Sequence, residues 1–415
     1  MNSVYGTICA VGGGKGGVGK SLVSVNLACA LAREGHEVIL VDADLAGANV
    51  HTMFGIRHPP LTLNEFMNNT VGTIEDVLVP TKLKTLHLIC GATDFIDLAN
   101  PGRVRKQKIL QSICRLSADF ILVDIGAGAT FNNLDFFNMA HFGVLVTTPD
   151  PTAILGCYEF LKLAVRRKIM ATFSDIPVIK ESLDALISGN GSEKARKIGE
   201  AVDVLKGIDK EAAEKILALL REMNLRLVVN CASGVEGEKV HRVLTGISRQ
   251  YLQVDLPFLG SIPRSPEIEK SVRTMTPAML LGPDKVIAPF VKMAVKFASE
   301  AASMSSSPLL FPEEPEGTDT KPGSTGSLIC LNDLVVRSGK TLRVQTEDLG
   351  KDKSLVQTIV FFEGKVVFMK ENDYASLGVK DASGDSICDI ARWQHNGILR
   401  GVRDGKIDQK IAETG

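Results

Sequence analysis

The chain has 415 residues, 45% of them hydrophobic and 23% charged, with 47 Lys and Arg against 48 Asp and Glu. The net charge of −1 gives no global basic field for nucleic acid and no acidic excess that would keep a chain unfolded. No run approaches the ~20 apolar residues of a bilayer span, and Met1-Asn2-Ser3-Val4-Tyr5 does not read as a secretory leader, so secretion and membrane spanning are not expected.

The first apolar run, Thr7–Val11, reads as a buried strand. It leads into Gly14-Lys15-Gly16-Gly17-Val18-Gly19-Lys20-Ser21, which matches G-x-x-x-x-G-K-[ST], and Leu22–Ala32 continues with helical patterning. Strand, glycine loop and helix in that order form a phosphate cradle. Glycines let backbone N–H groups turn inward, and the helix N-terminus adds positive potential. Lys20 should reach the β- and γ-phosphates, and the Ser21 hydroxyl should bind Mg²⁺.

A second run, Val38–Val41, closes on Asp42-Ala43-Asp44. Leu86–Ile89 follows, then Phe120–Val123 closing on Asp124, then Val144–Thr147 and Leu227–Val229 closing on Asn230. Apolar strands alternating with helical segments predict a doubly wound, mostly parallel α/β sheet, a P-loop NTPase core. Carboxylates at strand ends face the ligand crevice of such a sheet, where they hold a magnesium shell or orient water. A guanine-reading Asn-Lys-x-Asp would need Lys at 231 and Asp at 233; Cys231 and Ser233 stand there, which favours ATP over GTP.

The eight cysteines contain no Cys-x-x-Cys pair and most lie in apolar runs, as buried reduced thiols do. Arg166-Arg167-Lys168 is a short basic cluster at a helix end, which helix-dipole preference explains as well as nucleic acid does. Residues 170–224 read as a helical insertion. Ile198, Val202 and Leu205, then Ile208, Ala212, Ile216 and Leu220, fall at helical spacing about a hinge near Gly207. The segment is either a solvated hairpin or a partner-docking arm. Lys285–Glu300 carries Ile287, Phe290, Val291, Ala294 and Phe297 on one side and reads as a helix packed on the sheet or an interfacial one. Residues 303–327, rich in Pro and Ser, form a linker between domains at 1–302 and 328–415. Beyond it, Ser327–Val336, Thr341–Thr346, Ser354–Phe362 and Lys365–Lys370 read as strands, with a turn at Phe362–Lys365 and a helix over Asp385–Gln394. This is a small C-terminal α+β module without catalytic spacing, expected to serve interaction.

The extra lysine at Lys15 resembles the deviant Walker A motif of the MinD/ParA ATPases. The resemblance continues through Val41-Asp42-Ala43-Asp44, Asp124-Ile125-Gly126-Ala127-Gly128, Thr147-Thr148-Pro149-Asp150-Pro151-Thr152 and Leu259-Gly260-Ser261-Ile262-Pro263, over about residues 5–300. The Thr147–Thr152 stretch is most similar to the flagellar-number regulators of the FlhG, or FleN, branch. The resemblance implies a homodimer that sandwiches two ATP molecules, with Lys15 crossing to the partner's phosphates and Lys20 and Ser21 acting in cis. It implies a water-orienting role for Asp44, outer magnesium-shell and switch roles for Asp42 and Asp124, switch positions at Asn49 and Gly128, and an adenine contact at Asn230. Hydrolysis would be slow and partner-stimulated, with the partner docking through the switch regions, the insertion or the C-terminal module. The implied location is the cytoplasm, peripheral to a membrane at most. Two other functions share such a fold: DNA partitioning, and electron transfer or metallocluster carriage.

Overall fold

A computed structural model describes residues 6–44, 47–91, 103–173, 198–303, 330–337, 340–348, 355–362, 365–373, 394–402 and 404–405. The chain divides into two compact units, residues 1–99 with 107–311, and residues 100–106 with 312–415. The expected linker lies outside the described residues apart from Ser303, as do residues 174–197 of the insertion.

The larger unit is built on an eight-stranded sheet in the order β3-β4-β2-β5-β1-β6-β7-β8. Its strands are β1 (Thr7–Gly12), β2 (Val38–Asp42), β3 (Leu78–Pro80), β4 (Leu86–Ile89), β5 (Phe120–Asp124), β6 (Phe142–Thr147), β7 (Leu225–Asn230) and β8 (Phe258–Ile262). All neighbours pair in parallel except β3 with β4. Strands buried on both faces need apolar residues at every position, which is why they read as unbroken Val, Ile and Leu.

Alternate residues feed two cores. Ile8, Ile39, Ile121 and Leu145 face one layer, which holds the helices α2 (Leu63–Met67), α3 (Arg103–Arg115), α4 (Phe131–Asn138) and α5 (Pro151–Thr172). Cys9, Leu40, Leu122 and Val144 face the other, which holds α1 (Lys20–Arg33) and the helix Asp284–Ala302. α1 is buried nearly all round, as its Leu, Val and Ala content demands. Its one interior amide is satisfied: Asn26 Nδ2 donates to the Leu22 carbonyl at 2.8 Å, and Oδ1 accepts from the Met279 N–H at 2.9 Å.

Two amphipathic segments find their partners inside this unit. Phe290, Ala294 and Phe297 of helix Asp284–Ala302 are fully buried in the second core. Val202, Leu205, Ala212, Ile216 and Leu220 of the insertion join the first. The break between the insertion's helices, Ile198–Ile208 and Lys210–Arg221, falls at Asp209 and not at Gly207, which lies inside the first helix. The Asp209 carboxylate accepts from the Ala212 N–H at 2.9 Å and caps the second helix, a stronger start signal than the glycine. No helix among the described residues is long and apolar enough to cross a membrane.

The C-terminal unit holds the antiparallel strands β9 (Cys330–Arg337), β10 (Lys340–Asp348), β11 (Leu355–Phe362) and β12 (Lys365–Asp373), ordered β12-β11-β10-β9. Leu342, Val344, Val360 and Phe362 pack with Leu399 and Val402 of a helix over 394–402. Of the expected helix over Asp385–Gln394, residues 385–393 lie outside the described residues, and Gln394 is helical. A buried polar cluster accompanies this packing. Thr346 and Thr358 sit opposite each other with hydroxyls 2.6 Å apart. His395 Nδ1 lies 2.8 Å from the Thr346 hydroxyl, and Gln394 Nε2 donates to that of Thr358 at 3.0 Å. Each buried polar group named here has a partner, so His395 is a structural histidine.

Candidate nucleotide site

The carboxyl ends of β1, β2, β5, β6 and β7 converge on the loop between β1 and α1. Gly17 and Gly19 adopt φ of 79° and 93°, left-handed values that L side chains resist. The loop is also packed too tightly for side chains at particular points. A Cβ on Gly14 would lie 1.9 Å from the Gly156 carbonyl oxygen of α5, and one on Gly19 would lie 2.2 Å from Asn230 Nδ2. Gly16 and Gly17, by contrast, have no atom nearer than 3.8 Å to such a Cβ, so this part of the loop is open. Gly14→Ala is therefore expected to lower the unfolding free energy by about 1–3 kcal/mol, because backbone must yield to backbone. Gly16→Ala should leave it nearly unchanged. Chemical denaturation of the two variants checks this, and equal stabilities would contradict the packing argument.

Lys20, 8% exposed, starts α1. Burial lowers its pKa, opposed by the charges of Asp124 and Asp44. Asp124 accepts hydrogen bonds from Ser21 and, at 2.7 Å, from the Ser24 hydroxyl. Asp42 and Asp124 are register partners at the ends of adjacent strands. Asp42 accepts from the Val50 N–H at 3.0 Å and the Asp44 N–H at 3.2 Å, which pins the segment leading to Asn49. Asn49 is exposed and precedes the short helix Val50–Phe54 without a side-chain capping hydrogen bond. Asp44 accepts from the Gly47 N–H at 3.1 Å, and its Oδ1 would stand 2.8 Å from a Cβ at Gly126. The second strand-end loop thus runs against the Asp44 carboxylate. Gly128, at φ 84°, turns that loop, and Asn133 Nδ2 holds it through the carbonyls of Gly126, Ala127 and Gly128 at 2.9–3.2 Å.

Burial, reinforced by the Asp124 carboxyl, pushes Asp42 up to about 8 against its two backbone hydrogen bonds. Burial likewise raises Asp124 to about 6, against the serine hydrogen bonds and the Lys20 charge. Folded values above the ordinary carboxylate value mean that protonation favours the nucleotide-free fold. That contribution is complete below about pH 4 and is lost as pH rises through the folded values. Unfolding free energy of the nucleotide-free protein should fall from pH 4 to 8, with on the order of 2–3 kcal/mol from Asp124 alone. Asp124→Asn should make the fall between about pH 4 and 6 shallower and leave the Asp42 contribution, which extends to about pH 8. A wild-type profile that is flat or rising over this range would contradict the expectation.

Asn230 is buried, and its Nδ2 donates to the Val18 carbonyl at 2.9 Å, tying the end of β7 to the phosphate loop. Beside it, a cleft of about 400 Å³ is lined by Pro149, Asp150, Cys231, Ser233, Pro263 and Arg264, among others. Sequence reading placed the base at Asn230. The cleft is a second candidate, and the sequence signals for it were the segments around Pro149 and Pro263, which follow β6 and β8. Lys15 is exposed, and its Nζ donates to the Thr152 hydroxyl at 2.8 Å. The site therefore gathers Gly14–Ser21, Asp42, Asp44, Asp124 and Asn230 at one sheet end. Open loop, buried ammonium and clustered carboxylates fit a nucleotide phosphate chain with Mg²⁺.

Other candidates are consumed by packing. Arg167 pairs with Asp135 through two hydrogen bonds of 2.7 and 3.0 Å, and Lys168 Nζ donates to the Asn138 carbonyl at 3.1 Å. The thiol of Cys157 is buried, and burial pushes its pKa up to about 12.

Fold and site define a P-loop NTPase. The family model described as "ParA: NUBPL iron-transfer P-loop NTPase" matches residues 5–172. The antiactivator FleN of Pseudomonas aeruginosa is 28% identical over 271 residues, 64% of this chain and 76% of that protein. The flagellum site-determining protein YlxH of Helicobacter pylori is 32% identical over 161 residues, 38% of this chain and 54% of that one. An iron-sulfur cluster carrier protein of Aquifex aeolicus is 52% identical over 224 residues, 50% of this chain and 59% of that one. Over the matched residues the chain is thus similar to the ParA/MinD P-loop NTPases.

Proposed function

We propose that this protein is an ATP-driven dimerising switch that regulates the placement or number of a cellular structure, the flagellum first among them. The observation that carries the switch reading is the Asp44 carboxylate set against Gly126. A carboxylate positioned between two strand-end loops reports to both whether a phosphate chain is present. The backbone of Gly14, Gly16, Gly17, Val18 and Gly19, with Lys20, would hold the phosphates. Ser21, with Asp42 and Asp124 behind it, would hold Mg²⁺, which when bound neutralises phosphate charge. Asp44 would orient the attacking water, and Lys15 would reach the phosphates of a second protomer. Loops carrying Asn49 and Gly128 would shift as the dimer closes and opens. The cleft next to Asn230 would take adenine.

The flagellar reading draws on the named relatives FleN and YlxH. The iron-sulfur carrier relative favours the metallocluster alternative; burial of Cys157 argues against that thiol as a ligand. The engagement of Arg167 and Lys168 within the α4–α5 packing argues against them as a DNA contact. The domain division at 1–302, 303–327 and 328–415 belongs to the same proposal, with the C-terminal unit as a protein contact. A cytoplasmic location, peripheral to the membrane at most, follows with it.

The test is a pull-down from native extract with Asp44→Ala protein loaded with ATP or ADP. Flagellar or polar proteins retained only with ATP are the expected result. Retention of chromosomal DNA, or of metallocluster proteins, would overturn the assignment in favour of the respective alternative.

A further inference from the structure

We infer that Thr152 is a positioning residue that holds Lys15 in cis and sets the threshold for ATP-driven dimerisation; this rests on the trans role proposed for Lys15. Lys15 follows Gly14, whose missing side chain lets the loop lie flush on the first turns of α5. The closest approach is to the Gly156 carbonyl oxygen, 1.9 Å from where a Cβ on Gly14 would be. Across this close contact the Lys15 ammonium donates to the Thr152 hydroxyl at 2.8 Å, beside Pro151 at the helix start. In that position the lysine side chain lies against its own α5, and reaching out to a phosphate on another protomer requires it to leave the hydroxyl.

The hold is weak by construction. Both groups are exposed. A helix N-terminus carries positive potential, which disfavours a cation there. The hydroxyl offers a neutral acceptor, whereas a phosphate offers an anionic one, and charge-assisted hydrogen bonds are roughly twice as strong. The lysine therefore rests on Thr152 without a nucleotide-loaded partner and transfers when one arrives. Two lysines must leave for each dimer, so the effect of the contact enters twice.

The experiment compares wild type, Thr152→Val and Thr152→Ser by sedimentation velocity with a non-hydrolysable ATP analogue and Mg²⁺. Valine keeps the branched shape and removes the acceptor; serine keeps the acceptor. Thr152→Val should dimerise at about 25-fold lower protein concentration, about fivefold per released lysine, while Thr152→Ser stays near wild type. Nucleotide affinity of the monomer should be the same in all three. In nucleotide-free protein, amine-reactive labelling of Lys15, read by peptide mass spectrometry, should be several-fold faster in Thr152→Val. Wild type that dimerises with the analogue, together with a Thr152→Val midpoint and labelling rate equal to its own, would overturn the Thr152 role alone. Wild type that stays monomeric with the analogue would overturn the dimer switch and this role with it.

Discussion

Lys20→Ala should weaken ATP binding by about 100-fold or more while leaving the fold intact. The ammonium is the one cation among the described residues placed between Asp44 and Asp124, and its burial already lowers its pKa. An ion kept that dry at a sheet end is stabilised by what it pairs with, and a triphosphate is the stronger partner. Its removal deletes a charge-assisted contact to phosphate and leaves the two carboxylates to repel the ligand. The side-chain stem sits at the first turn of α1, away from the Leu27–Leu31 packing, so the loss in stability should be small. Calorimetric titration with MgATP, alongside thermal unfolding, separates the two effects. Unchanged affinity would remove Lys20 from the site. Lost affinity with a collapsed melting temperature would assign it a structural role instead.

The parallel strands were legible because burial on both faces leaves no polar position to confuse the pattern. Leu86–Ile89 is β4 residue for residue, and β1, β2 and β5 extend the expected runs by one position each. Two strands escaped that reading for identifiable reasons. β3 is three residues long and ends in Pro80, and β8 carries Gly260 and Ser261 in place of branched residues. β8 showed in the Leu259–Pro263 motif but not in its hydropathy. In the C-terminal unit, strand pattern survived because one face packs on a helix. The buried Thr346, Thr358, Gln394 and His395 cluster was illegible, since polar residues at core positions look like surface ones until their partners are known. The phosphate loop was readable because glycine and lysine spacing is fixed by backbone geometry. The lining of the adjacent cleft was only partly so, because it comes from three separate strand ends.

Asp44→Ala should bind ATP within a few-fold of wild type and hydrolyse it at least about 100-fold more slowly, the usual scale for losing a group that positions or activates the nucleophile. Three features separate Asp44 from its neighbours. Asp42 spends both oxygens on the backbone N–H groups of Val50 and Asp44, which makes it a pin for the loop. Asp124 is occupied by Ser21 and Ser24. Asp44 accepts from Gly47, is only partly buried, and abuts Gly126, so it keeps contact with both strand-end loops and with solvent. Water therefore reaches Asp44 and does not reach the other two. The hydrogen bond that Asp44 accepts from Gly47 is exposed, and its loss costs less than about 1 kcal/mol. Single-turnover hydrolysis measured next to equilibrium ATP binding distinguishes a lost chemical step from a lost site. Slow hydrolysis with retained binding would leave the ATP-bound dimer long-lived, and its dissociation rate in the same samples should fall in parallel. Normal turnover would move the water-orienting role away from Asp44, and slow turnover with lost binding would make it a ligand-holding residue.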